Sequence, residues 1–471
     1  MKLQIALSLS SEAGVVQLVR CLIDVQQTPD IAAMGLSLAD SKVLLAWIQE
    51  IIVNHQIQAL DVKHRDCPSC GAARELKGYR VVRYRSLFGD VSTRVARWRN
   101  CSCNGERSGC PAAVRQSWIN AEMQYIHAEL AATVPYARAI QLLNLVLPTG
   151  TTAISTVRTH ALTVGARLAT EGLTPTNEAS PINPSVDDVA PPVQPLFIGL
   201  DGGYVRHCHP GRCDTRYRST GAPDFEVIAG RLLGDNIAAR SLAMVRVIDG
   251  QSARRVQVAI ANAGLGRKVE VFTDGVAQLR QWQMAAVPDA THILDWYHLR
   301  KRVEILDKVL HRKDTAKLIK SHILDLLSSL FGHMLWRLWH GQFQEVIRRL
   351  QVMLQIFKRI FGTGRSRPRP TVVSTLASDL LRYLQNNVDS LPNYGLRWRT
   401  GQRISSAFVE SAVNQIIDKR MSKSQQMRWD PKSAHQLLQV RVRVIDGLLR
   451  DDFARWYPGF PANESTMVIV A

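Results

Sequence analysis

The stretch Leu196-Phe-Ile-Gly-Leu-Asp201-Gly-Gly-Tyr-Val205 is an apolar run ending in a carboxylate and two glycines, and it reads as a buried strand that delivers Asp201 to its exit. Val269-Glu-Val-Phe-Thr-Asp274-Gly275 repeats the design, so two acids stand at the ends of two strands able to lie side by side. Glu410 falls in Arg403-Ile-Ser-Ser-Ala-Phe-Val-Glu410-Ser-Ala-Val-Asn414, a helical pattern with a polar stripe of Arg403, Ser406, Glu410 and Asn414. Two Asp on adjacent strands and a Glu on a later helix is the order of acids in an RNase H-like catalytic fold, where hard carboxylate oxygens hold two Mg²⁺ ions for phosphodiester chemistry. Spacing alone leaves a second reading open, in which Asp-Gly marks hairpin turns and Glu410 is a solvated helix residue.

Around this stretch the pattern reads strand 196–205, a turn with His207-Cys208-His209 and Cys213, strands 225–233 and 242–248, helix 251–264, and strands 269–274 and 292–295. Three meandering strands, a helix and a parallel strand carrying the second acid are the order an RNase H-like sheet requires. The four His and Cys of the turn are too crowded for a comfortable zinc site, so a loop without metal is expected there.

The runs Asp201-Gly-Gly-Tyr-Val, Phe225-Glu-Val-Ile-Ala-Gly, Phe272-Thr-Asp-Gly, His292-Ile-Leu-Asp-Trp-Tyr-His298, Glu410-Ser-Ala-Val-Asn-Gln and Gln425-Gln-Met-Arg-Trp resemble, in collinear order, those of bacterial insertion-sequence transposases of the ISKra type. The resemblance covers roughly residues 60 to 460. It implies a DDE transposase whose triad is Asp201, Asp274 and Glu410. It also implies that Asp295-Trp-Tyr-His298 is the D-x-x-H element found after the second acid, with His298 near the active site. The acids would hold two Mg²⁺ ions, one activating water or a 3′-hydroxyl and the other stabilising the leaving oxygen, without a covalent enzyme intermediate.

The 471 residues suggest two to four units, and 46% hydrophobic residues suffice for a sizeable core. A net charge of +19 makes a polyanion the natural partner, and nucleic acid outranks a membrane because no apolar run approaches the roughly 20 residues needed to span one; the resemblance implies that the nucleic acid is double-stranded DNA. Met1-Lys2 and the short run Leu3–Leu9 do not amount to a signal peptide, so a cytoplasmic protein is expected.

Residues 1–66 are expected to form a small N-terminal helical module. Cys67-Pro-Ser-Cys70 and Cys101-Ser-Cys103 then flank two alternating runs joined at Phe-Gly-Asp, a hairpin with cysteine pairs at both feet. That is the layout of a zinc ribbon over 67–118, with His64 and Cys110 at its margins and Cys110 a possible substitute ligand. Disulfides are disfavoured in a chain without an export signal. This module carries 10 Lys/Arg against 3 Asp/Glu, and Arg83, Arg85 and Arg97 are candidates to lie along phosphates, a solvated face being the alternative.

Helices over Ala121–Val146 and Thr151–Ala169, broken at Leu147-Pro-Thr-Gly150, fit a helix-turn-helix within 119–170, with Arg158 near the start of its last helix. The proline-rich 171–195 is a linker. The catalytic domain would then run over 196–299 and 401–471, interrupted at 300–400 by a basic helical insertion with 19 Lys/Arg against 7 Asp/Glu. Arg365, Arg367 and Arg369 in that insertion are expected to clamp a DNA backbone. Gln425, Gln426, Arg428 and Trp429 mix amides, a cation and an aromatic in the manner of a nucleic-acid groove, although a polar surface loop has the same composition.

The expectation is thus an α/β protein with an RNase H-like catalytic domain, a helical insertion, a zinc-ribbon-like module and a helix-turn-helix. It would use two Mg²⁺ ions and a structural Zn²⁺, bind element terminal inverted repeats and target DNA, and act as a homo-oligomer. A non-catalytic, transposase-derived regulator would need no acids, and an RNase H-like nuclease would hardly need two upstream DNA-reading modules.

Overall fold

The computed structural model describes residues 2–11, 14–24, 31–67, 69–99, 101, 103, 118–150, 152–175, 195–207, 224–234, 237–246, 248–263, 268–361, 372–422 and 428–461. The chain divides into two compact units, Met1–Val164 with Leu448–Ala471, and Gly165–Gly447. Among the described residues no helix is long and apolar enough to cross a membrane.

The first unit opens with an antiparallel hairpin of β1 (Lys2–Ser11) and β2 (Gly14–Asp24), followed by α1 (Leu38–Arg65). A wholly helical 1–66 is therefore not what forms. The run Leu3-Gln-Ile-Ala-Leu-Ser-Leu-Ser has apolar residues at every second position, which is a strand period, and helical spacing begins only near Val43. Ser37 starts α1 by accepting the Asp40 amide at 3.1 Å.

β3 (Leu76–Ser86) and β4 (Gly89–Trp98) form the second hairpin, turning through Leu87-Phe88. Its inner face, Val82, Val91 and Val95, packs on Val53 and Ile57 of α1. Asp61 of α1 accepts the Ala96 amide with both oxygens at 3.1 Å, fixing the helix against β4. Tyr79 and Val81 lie on the outer face and are exposed.

Three helices follow, α2 (Ala121–Thr133), α3 (Tyr136–Val146) and α4 (Ile154–Glu171). The helix expected over 121–146 is split at Pro135, whose ring excludes a helical conformation at the preceding Val134. His127 of α2 and His160 of α4 are both buried and joined Nδ1 to Nδ1 at 2.8 Å, so at least one Nδ1 carries a proton while both rings stay neutral. Burial lowers each pKa to about 4, helped at His127 by His160 and at His160 by the Arg85 guanidinium.

Unfolded, these imidazoles titrate near 6.5, so between pH 6.5 and 4 the unfolded chain binds more protons and stability falls as the pH falls. A shift of this size corresponds to about 3 kcal/mol for the first ring protonated. Acidification through that window should lower the melting temperature of the wild type steeply. His160→Gln should flatten that dependence, and an unchanged slope in the variant would show that the pair is not its source.

The second unit is built on a five-stranded mixed sheet in the order β7-β6-β5-β8-β9, from β5 (Leu196–Val205), β6 (Phe225–Gly234), β7 (Ile237–Val245), β8 (Val269–Thr273) and β9 (Thr291–Leu294). β5, β6 and β7 run antiparallel in a meander, while β5, β8 and β9 are parallel. The parallel strands need crossovers, supplied by α5 (Ser252–Asn262) and by α6 (Ala277–Ala286), a helix the sequence reading did not anticipate. Leu196, Ile198, Leu200 and Val271 face these helices in one core.

Between β9 and the return to the sheet lie α7 (Trp296–Leu310), α8 (Lys313–Leu318), α9 (Ser321–Phe331), α10 (Met334–Trp339), α11 (Phe343–Phe361), α12 (Val372–Asn386) and α13 (Tyr394–Arg399). Leu299, Val303, Leu306 and Leu310 of α7 recur at helical spacing and meet Val346, Leu350 and Met353 of α11 and Val373, Ala377, Leu380 and Leu384 of α12. Each such side chain contributes about 1.5–3 kcal/mol when fully buried, so this helical block has a core of its own. α14 (Ala407–Val413), a π-helix (Asn414–Ser422) and α15 (Pro431–Ile445) return to the sheet, and α16 (Leu449–Trp456) belongs to the first unit.

Candidate functional site

β5 and β8 pair in parallel with Gly199 opposite Phe272, so the same register sets Asp201 level with Asp274. β8 and β9 pair with Thr273 opposite Leu294, and the Asp295 amide donates to the Thr273 carbonyl at 3.0 Å. Three carboxylates, Asp201, Asp274 and Asp295, therefore follow one another at one level across three neighbouring parallel strands: Asp274 and Asp295 just past the ends of β8 and β9, and Asp201 within β5, which continues to Val205 along β6 rather than ending at the acid as the sequence suggested. Asp201 has its pKa raised, first by burial and then by the charges of Asp274 and Asp295. The Gly202 amide and His298 pull the other way. His298, one turn into α7, is thus close enough to act electrostatically on Asp201.

The acids are held by different means. Asp201 Oδ1 accepts the adjacent Gly202 amide at 2.8 Å within β5, and Asp274 Oδ1 accepts the Val276 amide at 3.0 Å, closing a tight local turn after β8. Behind Asp274 the helical block braces the backbone: Tyr383 donates its hydroxyl to the Asp274 carbonyl at 2.7 Å and Asn387 donates to the Gly275 carbonyl at 3.1 Å. Thr273 Oγ1 accepts the Gly275 amide at 3.1 Å and also pairs with His292 Nε2 at 2.8 Å, while His292 Nδ1 meets Ser390 Oγ at 2.6 Å. Burial depresses His292 to a pKa of about 3, so it is a neutral ring fixing the strand end.

Glu410 lies on α14, which crosses the face of the sheet that carries Asp201. Val409 sits on Gly199, where an added Cβ would fall 1.8 Å from Val409 Cγ2, so only glycine lets the helix approach β5 this closely. Glu410 itself is exposed. Among the described residues its carboxylate does not converge with those of Asp201 and Asp274 into a three-ligand group; the four cysteines are the set that does converge. The polar stripe expected along 403–414 is not one helix face either. Ser406 is buried at the N-cap of α14, while Arg403 precedes the helix with its guanidinium over the rings of Phe197 and Phe408.

In the first unit, Cys67, Cys70, Cys101 and Cys103 bring their Sγ atoms within 4.8 Å of one another. Cys67 and Cys103 are 3.6 Å apart and Cys70 and Cys101 3.4 Å, near the edge of about 3.8 Å that a tetrahedron with Zn–S bonds of about 2.3 Å requires, and far beyond an S–S bond of about 2.05 Å. The first pair is shaped by a knuckle. The Gly71 amide donates to the Cys67 carbonyl at 2.8 Å, and Gly71 has φ +71°, which a residue with a side chain adopts at a cost. The Cys67 thiol is lowered to about 6, chiefly by the backbone amides of Ser69 and Cys70, whereas Cys103 is pushed up to about 12 by the neighbouring thiols, Cys101 foremost. Four thiolates so close repel, and a divalent soft cation is the natural relief. The cysteine set thus fits zinc. Cys110 lies outside the described residues.

Of the basic residues singled out in the sequence, Arg97 and Arg158 are exposed. Arg83 pairs with Asp90 at 2.5 Å while remaining half exposed, and Arg85 is half-buried, its backbone bonded to Trp118 and Asn120. Arg428 is exposed, but Trp429 is 3% exposed. Its amide donates to the Arg206 carbonyl at 2.9 Å, extending the β5 edge, and the Arg420 guanidinium lies over its ring at 5.1 Å. Trp429 is therefore core and does not offer a face to a base. Cys208, His209, Cys213, Arg365, Arg367, Arg369, Gln425 and Gln426 lie outside the described residues.

Fold and site together describe a mixed α/β chain with three carboxylates level across neighbouring parallel strands and a separate cysteine site. No protein-family model matches the chain, and no curated protein matches it. Among solved structures, the Drosophila P element transposase strand transfer complex aligns over 72% of this chain and 95% of that one, with 12% identity and a TM-score of 0.31, a likeness too slight to define fold or activity.

Proposed function

We propose that this chain is a DDE-type DNA transposase of the insertion-sequence class, cleaving DNA at its element's ends and joining those ends to a target. The observation that carries the reading is the level placement of Asp201 and Asp274 on adjacent strands, just past the last parallel pair of Gly199 and Phe272, with the Glu410 helix seated across the face that carries Asp201. The strand order, with a three-strand meander beside two parallel strands, supports an RNase H-like sheet, and the collinear motif resemblance supports the ISKra type.

Asp201 and Asp274 offer hard oxygens whose mutual repulsion a divalent cation would relieve, so the pair fits Mg²⁺, with Glu410 completing the set. Bound Mg²⁺ would supply Lewis-acid stabilisation of the charge developing on phosphate. The chain's own residues orient: Tyr383 and Asn387 hold the Asp274 turn, and His298 lies beside Asp201 on α7. Upstream, the cysteine-footed hairpin with Arg97 exposed, and α2–α4 read as a helix-turn-helix presenting Arg158, would grip the duplex, with the basic helical block adding a backbone clamp.

The test is cleavage of a labelled duplex bearing the sequences that flank the gene, in Mg²⁺ and in Ca²⁺. Cutting at the repeat ends in Mg²⁺ is expected. End binding without cutting would favour the regulator, and cutting of RNA–DNA hybrids without end preference would favour a nuclease.

A further inference from the structure

Asp295 is where three elements meet. It closes β9, and its Oδ1 accepts the Tyr297 amide at 2.6 Å, capping the α7 helix that bears His298. Its Oδ2 accepts the Ser406 amide at 2.9 Å and the Ser406 hydroxyl, at the N-cap of the α14 helix that bears Glu410. Ser406 follows Asp295 by 111 residues, with the whole helical block between them. Asp295 is 1% exposed and Ser406 5%. With three donors on two oxygens and no route to solvent, this carboxylate is spent on the protein, although it stands in line with Asp201 and Asp274.

We infer that Asp295 is a positioning residue, whose carboxylate straps the start of the Glu410 helix to the edge of the parallel strands at the level of Asp201 and Asp274. The inference rests on the reading of those acids as catalytic. The start of this helix needs such a strap: α14 runs on without a break into the π-helix Asn414–Ser422, but its first turn has no side-chain cap from Ser406 and arrives at the sheet after a long excursion. Other ties near its start include the Trp296 amide on the Ile404 carbonyl at 3.1 Å and the packing of Phe408 and Val409 on Gly199 and Phe272. A carboxylate suits the post because all three of its hydrogen bonds come from donors. An amide at 295 would aim its own N–H₂ at one of those donors, and either the Tyr297 or the Ser406 amide would lose its acceptor.

The experiment combines Asp295→Asn, Ser406→Ala, Ser406→Thr and the double variant Asp295→Asn/Ser406→Ala in the full chain. Amide exchange over 407–413, measured without metal, should quicken in Asp295→Asn and Ser406→Ala alike and return toward wild type in Ser406→Thr, which keeps the hydroxyl. The Mg²⁺ concentration for half-maximal cleavage should rise about tenfold in Ser406→Ala with the KM for DNA unmoved, as expected for a group that orients a metal ligand. The double variant should add little to Asp295→Asn, because both remove one contact. General destabilisation would lower the active fraction without moving the Mg²⁺ requirement.

Unchanged exchange over 407–413 in both single variants would overturn the strap. So would a raised Mg²⁺ requirement in Asp295→Asn alone with normal exchange, which would make Asp295 a direct ligand. If the wild type proves unable to cleave DNA while the variants still exchange faster, the strap stands and the functional reading falls.

Discussion

Asp201→Asn, Asp274→Asn and Glu410→Gln should each abolish strand cleavage, by about a thousandfold or more, while leaving folding and end binding nearly intact. An amide keeps the shape of the carboxylate but loses the anionic charge that offsets the cost of stripping water from Mg²⁺. A thousandfold corresponds to about 4 kcal/mol of lost transition-state stabilisation, the scale on which a catalytic divalent ion acts. Asp201→Asn should also relieve the repulsion that Asp274 exerts on it, so the fold should lose nothing and DNA binding should tighten slightly. Asp224, exposed beside β6, makes the control, and Asp224→Asn should cleave at a near-normal rate. Asp249 would be a poor control, because it holds Arg255 at 2.6 and 2.9 Å and its amide would disturb α5. Cleavage of end-bearing DNA, with binding measured in Ca²⁺, reads all four. Full activity in Glu410→Gln would remove the helix from the site and send the search to another acid.

The parts of this site that were legible in sequence are those written in local periodicity. An apolar run ending in Asp-Gly announces both strands, although only β8 ends at its acid while β5 runs on to Val205, and alternation about Phe88-Gly89 announces the hairpin, because each is decided within ten residues. Asp295 looked like a companion to His298 in a short motif. Its tie to Ser406 depends on a tertiary approach across 111 residues that no local period encodes. Tyr383 belongs to the amphipathic α12, and Asn387 and Ser390 to the short 3-10 turn that follows it, and only packing shows that they turn toward Asp274 and His292. Trp429 was misplaced for a related reason. Cations, amides and an aromatic compose a nucleic-acid groove and a buried cation–π contact equally well, and the pairing of Trp429 with the β5 edge decides between them. The early hairpin could have been seen, since the alternation in Leu3–Ser10 is a strand period that the longer helical pattern after it overshadowed.

Removing zinc should produce the second large effect. Protein purified without chelator is expected to carry about one zinc per chain on Cys67, Cys70, Cys101 and Cys103, and stripping it should melt the feet of the β3–β4 hairpin and weaken DNA binding. Among the described residues the backbone ties at that end are the Gly71 amide on the Cys67 carbonyl, the Cys67 amide on the Ala72 carbonyl, the Arg74 amide on Arg65 and the Arg99 amide on Glu75, at 2.8 to 2.9 Å, with an exposed ion pair of Arg99 and Glu75 that contributes under about 1 kcal/mol. Zinc in small thiolate sites supplies apparent binding energies on the order of 10 kcal/mol, which dwarfs those contacts. Cys70 and Cys103 are exposed, so a chelator can reach the ion without global unfolding. The loss should therefore be local, seen as faster amide exchange at residues 72–80 and 94–99 while the Val82–Val91–Val95 core on α1 holds. Cys67→Ser should mimic chelation, since Cys67 is the buried member and its thiol is the one most readily ionised. Cys110→Ser should keep its zinc, and loss of metal in that variant would bring Cys110 into the ligand set. A chain that contains no zinc, whose four thiols react freely while the hairpin feet stay protected, would show that the cysteines meet for packing alone.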